Sequence, residues 1–223
     1  MKILFAACTW GLGHATRDLP ILKELTKRGH DITIVSSGRS LNLLKQELKD
    51  SCKYLNIPDY PLPYTKTDYF VLKFISLTPL FINAIRREHN IVDSLLKNNK
   101  YDIIISDTRY GFNKSDIPSY FICHQLRFVA PKRIKVAEKL TEKFNNEFSD
   151  RFKKIIVPDY ERNGLSGDLS HNLKYFDKDK IEYIGFLSNI KKRNIKNDIE
   201  YLVSVSGPEH QRTIFEQKVL LQL

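Results

Sequence analysis

The sequence predicts an α/β protein whose core is a doubly wound parallel sheet. The prediction starts from residues 2–38, where residues 2–8 form an apolar run of strand length and residues 9–14 form a turn with two glycines. Residues 15–28 then place apolar side chains at roughly helical spacing, and residues 32–35 form a second short apolar run. Strand, turn, helix and strand make a βαβ unit, and such units build parallel sheets with right-handed crossovers. Since ligands bind beyond the carboxyl ends of parallel strands, the turn after the first strand is the first candidate site.

The same alternation of short apolar runs and helical patterns continues along the chain. Further strands are expected at residues 54–57, 102–106, 119–123, 155–157 and 182–184. Further helices are expected at residues 39–48, 133–148 and 209–221. The apolar segment 70–96 predicts two helices, or one helix kinked at Pro79. Its charged residues interrupt the run of about 20 apolar residues that a membrane span needs, so it either packs into the core or rests on a membrane surface through residues 70–81.

Residues 191–199 form a charged linker, and we place a domain boundary there. Residues 1–190 are then expected to form one Rossmann-like domain. Residues 200–223 look like the start of a second unit, with a strand at 201–205, a turn and a helix. One strand and one helix cannot bury a core alone, so this segment either begins a truncated domain or docks elsewhere.

Composition limits the classes of partner and cofactor. The net charge of +10, from 36 Lys and Arg against 26 Asp and Glu, suits an anionic membrane face or a phosphorylated substrate, and equally a solvated Lys-rich surface. Nucleic acid is not expected, because no nucleic-acid-binding motif is present. Three cysteines without a CxxC pair indicate reduced thiols in a cytoplasmic protein, and the first apolar run is too short for a signal peptide. No cluster of His, Cys, Asp and Glu has metal-ligand spacing, so no metal is expected.

Two residues distant in sequence are candidates for general acid–base chemistry. His14 follows the first strand and Asp107 follows the fourth, and in the commonest doubly wound order those strands are neighbours. A carboxylate bonded to one ring nitrogen fixes the tautomer of a histidine and leaves the other nitrogen to take a proton. Alternatively, His14 merely belongs to the start of its helix and Asp107 caps the next one.

The glycines of the turn, Gly11 and Gly13, allow close approach of a ligand to the backbone and to the helix N-terminus. They do not complete a dinucleotide-binding fingerprint, because Thr16 stands in place of the third glycine and the second strand ends in two serines. An oxidoreductase that uses Arg39 to bind the 2′-phosphate of NADP is therefore a weaker alternative.

Several short motifs in the same order resemble the GT-B fold glycosyltransferases, a superfamily that includes the peptidoglycan GlcNAc transferase and the UDP-glycosyltransferases. They are GLGHATRDLPILKELTKRGHDITIVSSG (11–38), FICHQLRF (121–128), VPDYE (157–161), LSGDLSH (165–171), YIGFLS (183–188) and VSGPEHQRT (205–213). The resemblance implies two facing Rossmann-like domains, the first for the acceptor and the second for a nucleotide sugar. This chain would be the acceptor-side domain (1–190), a linker (191–199) and the start of the donor domain (200–223).

The resemblance also assigns roles to particular residues. His14 matches the family's catalytic base, and Asp107 matches the aspartate that orients it. The residues expected to line the acceptor crevice are Gly11, Gly13, Thr16, Arg17, His124 and Gln125. His124 has an equally good alternative as a histidine whose hydrogen bonds are satisfied within the core. Ser206, Gly207 and Arg212 would begin the donor diphosphate site, where a guanidinium suits phosphate.

These assignments predict a metal-independent, inverting glycosyltransferase. It would transfer a hexose or N-acetylhexosamine from a UDP-sugar to a hydroxyl of a lipid or glycan acceptor, in the cytoplasm or at the inner face of the membrane. The chain alone is expected to be inactive, since the acidic residue that binds the donor ribose in the family is not part of it. The alternative from another class is a non-catalytic acceptor-binding or membrane-anchoring subunit, with a partner chain supplying the donor domain.

Overall fold

The structure is a computed structural model that describes residues 1–61, 70–129, 133–188, 190, 194, 198–205 and 209–222. The chain divides into two compact units. The first comprises Met1–Leu62 and Leu77–Asn189, and the second comprises Pro63–Ser76 and Ile190–Leu223.

Within the described residues, the first unit is built on a seven-stranded sheet in which every pair of neighbouring strands is parallel. The strands are β1 (Lys2–Ala7), β2 (Asp31–Ser36), β3 (Lys53–Asn56), β4 (Ile103–Asp107), β5 (Ser119–Ile122), β6 (Lys154–Val157) and β7 (Ile181–Tyr183). Their spatial order is β3-β2-β1-β4-β5-β6-β7, so the strand order reverses between β1 and β4. The predicted doubly wound sheet is confirmed, and so is the predicted neighbourhood of the first and fourth strands.

Four helices lie between strands in the chain, namely α1 (Leu12–Lys27), α2 (Gly38–Leu48), α3 (Phe70–Asn98) and α4 (Lys135–Ser149). The helix α5 (Glu209–Leu220) follows the last strand and belongs to the second unit. Of the two alternatives for the long apolar segment, a single helix containing Pro79 is the one observed. None of the described helices is long and apolar enough to cross a lipid bilayer.

Strand β1 is buried on both faces, which explains its continuous apolar sequence. Ile3 and Phe5 point to the face covered by α1 and α2, where Leu22 and Leu44 complete one cluster. The alternate residues of β1 point to the opposite face and pack with Val92 of α3. The core therefore has two layers of side chains with the sheet between them. Polar groups lie at the carboxyl edge of the sheet.

The described part of α3 packs into the protein. Phe81, Ile85 and Val92 are all buried, and the Phe81 ring centroid lies 5.6 Å from that of Trp10. For these residues the core-packing interpretation is confirmed. The side chains of residues 70–75, the other part of the predicted membrane patch, lie outside the described residues.

A buried polar network lies near the carboxyl edge of the sheet and ties α3 to the loops after β3 and β4. Arg109 is fully buried; its Nε donates to Glu88 at 2.7 Å, and its terminal nitrogens donate to the carbonyls of Ile57 and Pro58. Glu88 also accepts hydrogen bonds from the Tyr60 hydroxyl and from the Gly111 backbone. An added Cβ at position 111 would lie 2.3 Å from the Glu88 Cβ, so only glycine fits there.

The same network reaches the loop after β1. Asp59, which precedes Tyr60, accepts hydrogen bonds from the backbone and hydroxyl of Thr9 at 2.7 and 3.3 Å. The Trp10 indole donates to the Tyr60 carbonyl. Three loops at the carboxyl edge are thus fixed to one another before α1 begins.

In the second unit, α5 is present as predicted, but the strand expected at residues 201–205 is wrong. These residues are described and have no strand pairing. An extended segment needs a neighbouring strand to satisfy its backbone groups, and no described strand pairs with it. Most of the predicted linker, 191–199, lies outside the described residues, so the domain boundary placed there stays a prediction.

Replacing Arg109 with methionine should leave the Glu88 carboxyl buried without its guanidinium partner. We expect the free energy of unfolding to fall by about 3–5 kcal/mol, as when one partner of a buried ion pair is removed. Urea denaturation measures the change. Arg28→Met is the matched control, since Arg28 and Glu24 form an exposed pair on α1 that is worth less than about 0.5 kcal/mol. Equal losses in both variants would contradict a structural role for the buried network.

Candidate active site

The loop after β1 delivers the candidate residues on the first turns of α1. Gly11 precedes the helix with a φ of 113°, a conformation that disfavours any side chain, and its amide donates to the Thr9 carbonyl at 2.7 Å. His14 therefore lies in the first turn of α1. Arg17 and Asp18 follow at three and four residues, on the same face of the helix as His14.

His14 and Asp107 meet at the switch point of the sheet. Ala7 and Asp107 are paired at the carboxyl ends of β1 and β4, and His14 Nδ1 lies 2.7 Å from Asp107 Oδ2. The Asp107 side chain is fully buried, whereas 14% of the His14 side chain is exposed. The contact predicted from strand order is thus present, with the imidazole on the solvent side of the carboxylate.

The Asp107 carboxylate has two further partners. Arg17 Nη2 donates to Oδ1 at 2.5 Å, and the Thr108 hydroxyl donates to the same oxygen at 2.9 Å. Thr108 has a φ of 56°, an uncommon left-handed conformation for a β-branched residue. Burial alone would raise the pKa of Asp107, but the electrostatic interactions with His14 and Arg17 and these hydrogen bonds hold it below its usual value. Asp107 is therefore ionised.

Arg17 joins a second histidine to the cluster. Its Nη1 lies 2.5 Å from Nδ1 of His124, the residue that follows the end of β5. Its Nη2 lies 3.0 Å from His14 Nδ1. The ring centroids of His14 and His124 are 6.2 Å apart. Burial and the electrostatic interactions with Arg17 and His14 lower the pKa of His124 to about 4, so this ring is neutral at physiological pH.

The structure brings together four of the predicted site residues, His14, Asp107, Arg17 and His124. Gly11 lies in the loop that leads to them, and Gly13 opens the helix beside His14. Thr16 does not join the cluster, because its hydroxyl donates to the Gly13 carbonyl at 3.1 Å. Gln125 contributes only backbone contacts, its amide donating to the Cys123 sulfur and its carbonyl accepting from Asn145.

The predicted donor-site residues belong to the second unit. Ser206 and Gly207 lie outside the described residues, and Arg212 lies on α5. Their predicted role stays a prediction.

Sequence reasoning missed Asp18. Its side chain is fully buried, and neither carboxyl oxygen has a hydrogen-bond partner among the described residues. Burial and the negative charge of Asp107 raise the pKa of Asp18 well above its usual value, so this carboxyl is protonated. The sequence signal that could have identified Asp18 was its position four residues after His14, since that spacing puts both residues on one face of the helix.

The described residues support neither a cysteine nucleophile nor a metal site. Burial raises the pKa of the Cys123 thiol to about 11, and burial together with Asp59 and Asp107 raises that of Cys8. Both are therefore thiols at neutral pH and poor nucleophiles. Among the residues that the structure describes, no group of three or more His, Cys, Asp or Glu side chains could hold a metal ion.

Comparison with known proteins identifies the family. The family model for glycosyl transferase family 1 matches residues 1–115, which is more than half of the chain. The chain belongs to glycosyl transferase family 1. An uncharacterized glycosyltransferase of Methanosarcina mazei is 32% identical over 169 residues, and the match covers 72% of this chain and 44% of that relative. The chain thus spans less than half the length of this curated relative.

Solved structures share the GT-B fold. Phytolacca americana UGT2, complexed with UDP-2fluoro-glucose and pterostilbene, matches with a TM-score of 0.53 and 14% identity, covering 83% of this chain and 54% of that one. Arabidopsis thaliana UGT89C1, complexed with UDP, matches with a TM-score of 0.52 and 14% identity, covering 98% and 57%. At such identities the likeness establishes the fold alone. The chain therefore has the Rossmann-like sheet of the GT-B fold.

Replacing Asp18 with asparagine should stabilise the protein increasingly as the pH rises. A raised pKa means that the folded protein binds a proton that the unfolded chain releases, so the free energy of unfolding of the natural protein falls above the ordinary Asp pKa. We therefore expect the free energy of unfolding of Asp18→Asn to rise, relative to that of the natural protein, by roughly 1 kcal/mol per pH unit above about pH 4. The gain should stop at the pKa of Asp18 in the folded protein.

Urea denaturation of both proteins at several pH values measures this difference. The control is Asp116→Asn at an exposed position, which should follow the natural protein. A stability difference between Asp18→Asn and the natural protein that does not change with pH would show that Asp18 is ionised in the folded state.

Proposed function

We propose that the complete protein transfers a sugar from a nucleotide-sugar donor to an acceptor hydroxyl, with this chain binding the acceptor and His14 acting as the catalytic base. The observation that carries the proposal is the 2.7 Å contact between His14 Nδ1 and the buried Asp107 carboxylate. Family membership supports transferase chemistry over the NADP-linked oxidoreductase. The intact histidine–carboxylate pair favours a catalytic chain over a non-catalytic anchoring subunit.

The geometry around His14 suits proton abstraction. An ionised carboxylate can only accept hydrogen bonds, so the 2.7 Å contact places a proton on His14 Nδ1. The lone pair of Nε2 is then available to take a proton. Asp107 thus fixes the tautomer and stabilises the imidazolium that forms when Nε2 takes a proton.

The proposed reaction is a single displacement with inversion. The acceptor O–H gives its proton to His14 Nε2 while its oxygen attacks the anomeric carbon of the donor. The bond between that carbon and the phosphate oxygen breaks, and the nucleoside diphosphate leaves with the electron pair. Attack opposite the leaving group inverts the configuration at the anomeric carbon, and no metal ion is needed for the proton transfer.

The donor is proposed to be a UDP-sugar carrying a hexose or N-acetylhexosamine. Two structures with the same fold were solved with UDP or a UDP-sugar analogue, which supports this nucleotide. Ser206, Gly207 and Arg212 are proposed to begin the diphosphate site. We assign the acceptor as a lipid or glycan hydroxyl, and the location as the cytoplasm or the inner membrane face, on the basis of composition and resemblance.

Replacing His14 with alanine in the complete protein should abolish most of the transfer. Loss of a general base lowers kcat by about 10²–10⁴-fold, with little effect on the binding of the UDP-sugar. The measurement is UDP release and product formation with UDP-glucose and UDP-GlcNAc against a panel of glycan and lipid acceptors. His30→Ala is the matched control, since His30 lies at the other end of α1, before β2.

A His14→Ala protein that transfers sugar at the natural rate would remove His14 as the base. Absence of any transfer by the natural complete protein, across donors and acceptors, would remove the proposed function itself.

A further inference from the structure

Arg17 touches three groups of the candidate site at once. One terminal nitrogen, Nη1, lies 2.5 Å from His124 Nδ1. The other, Nη2, lies 2.5 Å from Asp107 Oδ1 and 3.0 Å from His14 Nδ1. A guanidinium has only donors, so it constrains where each imidazole can carry its proton.

The contact with Arg17 leaves only one tautomer for the neutral His124 ring. Because Arg17 Nη1 donates, His124 Nδ1 must supply its lone pair, and the proton of the neutral ring is on Nε2. The ring stays neutral because burial, Arg17 and His14 lower its pKa to about 4. Asp107, at the end of β4, and Asp159, after β6, raise the pKa of His124, but they do not outweigh these effects.

Two groups with opposite hydrogen-bonding roles lie next to His14 Nδ1. Asp107 Oδ2 at 2.7 Å can only accept, whereas Arg17 Nη2 at 3.0 Å can only donate. Arg17 Nη2 has the shorter contact with Asp107 Oδ1, at 2.5 Å, and its proton lies there. His14 Nδ1 therefore donates to Asp107, and its lone pair is on Nε2.

We propose that Arg17 is a positioning residue that fixes His124 in the tautomer opposite to the one that Asp107 fixes in His14, so that the site has one proton-accepting and one proton-donating Nε2. The contacts of both rings with Asp107 and Arg17 are made by Nδ1, and Nε2 takes part in none of them. His14 takes the proton of the substrate hydroxyl, and His124 donates a hydrogen bond to a neighbouring substrate oxygen. The role of His14 in this pair rests on the proposed function, whereas the two tautomers do not.

The surroundings of Arg17 favour a functional role over a purely structural one. Its Nε is buried and has no hydrogen-bond partner among the described residues. Buried polar groups in a stabilising network are normally satisfied, and each exception costs stability. Arg109 provides the contrast within this chain, because its Nε and both terminal nitrogens donate hydrogen bonds.

Nuclear magnetic resonance reads the tautomers directly and without substrate. The 223-residue chain is labelled with ¹⁵N-histidine, and long-range ¹H–¹⁵N correlation spectra distinguish Nδ1–H from Nε2–H rings. His14→Gln and His124→Gln variants assign the two signals among the six histidines. We expect the Nδ1–H form for His14 and the Nε2–H form for His124 at pH 7. A His124 ring that is charged, or that carries its proton on Nδ1, would overturn the proposal.

Substitution of Arg17 tests whether its guanidinium determines the tautomer of His124. In Arg17→Gln we expect His124 to lose its preference for Nε2–H and its titration midpoint to rise by about one pH unit or more. Arg39→Gln on α2, an exposed position, is the control and should leave both rings unchanged. Unchanged tautomers and midpoint in Arg17→Gln would mean that Arg17 does not position the rings.

If Arg17→Gln does not fold, Arg17→Lys replaces it. A lysine keeps the positive charge but lacks the planar fork that reaches both rings. We expect the His14 tautomer to persist and the His124 preference to be lost, and a natural His124 signal in Arg17→Lys would count against the proposal. Opposite tautomers in a complete protein without transferase activity would remove the proposed function and leave the positioning role intact.

Discussion

The buried negative charge of Asp107 is the constraint on which the candidate site depends. Moving a carboxylate out of water costs several kcal/mol unless opposite charges and hydrogen bonds replace the water. Here the imidazole of His14, the guanidinium of Arg17 and the hydroxyl of Thr108 replace it. Two of these groups come from α1, so the helix is held in one orientation against β4. The position of the candidate site residues on α1 therefore depends on the burial of this charge.

Asp107 also determines the state of its neighbours. Two carboxyl groups buried close together cannot both be ionised, and Asp18 is the one that stays protonated. On the other side, His124 is held neutral beside Arg17. The cluster thus contains one ionised acid, one neutral acid and one neutral imidazole within a few residues of the switch point. Such separation of protonation states is typical of sites that move protons.

The sequence was sufficient for the sheet and for the central contact, for a physical reason. Parallel strands are buried on both faces, so each appears as a short apolar run, and the commonest strand order then puts His14 opposite Asp107. Thr16 was expected to line the acceptor crevice, but its hydroxyl donates to the Gly13 carbonyl, and residues two apart on a helix point in different directions. The strand at 201–205 was inferred from apolar composition, which does not supply a partner strand.

The buried polar residues were the part that the sequence did not reveal. Asp18 and Arg109 are charged residue types that normally face solvent, and the local sequence indicates only that Asp18 shares a helix face with His14. Their environments are created by segments far away in the chain, such as β4 for Asp18 and α3 for Arg109. Only the assembled fold shows that the Asp18 carboxyl has no hydrogen-bond partner among the described residues, whereas Arg109 donates to three acceptor groups.

The first turn of α1 has a consequence for how this family can vary. Each residue added to an α-helix turns its direction by about 100°. One extra residue between β1 and Leu12, if taken up by the helix, would swing His14, Arg17 and Asp18 away from β4 and β5 together. The length of this short loop therefore determines where these three side chains lie as directly as the helix that carries them.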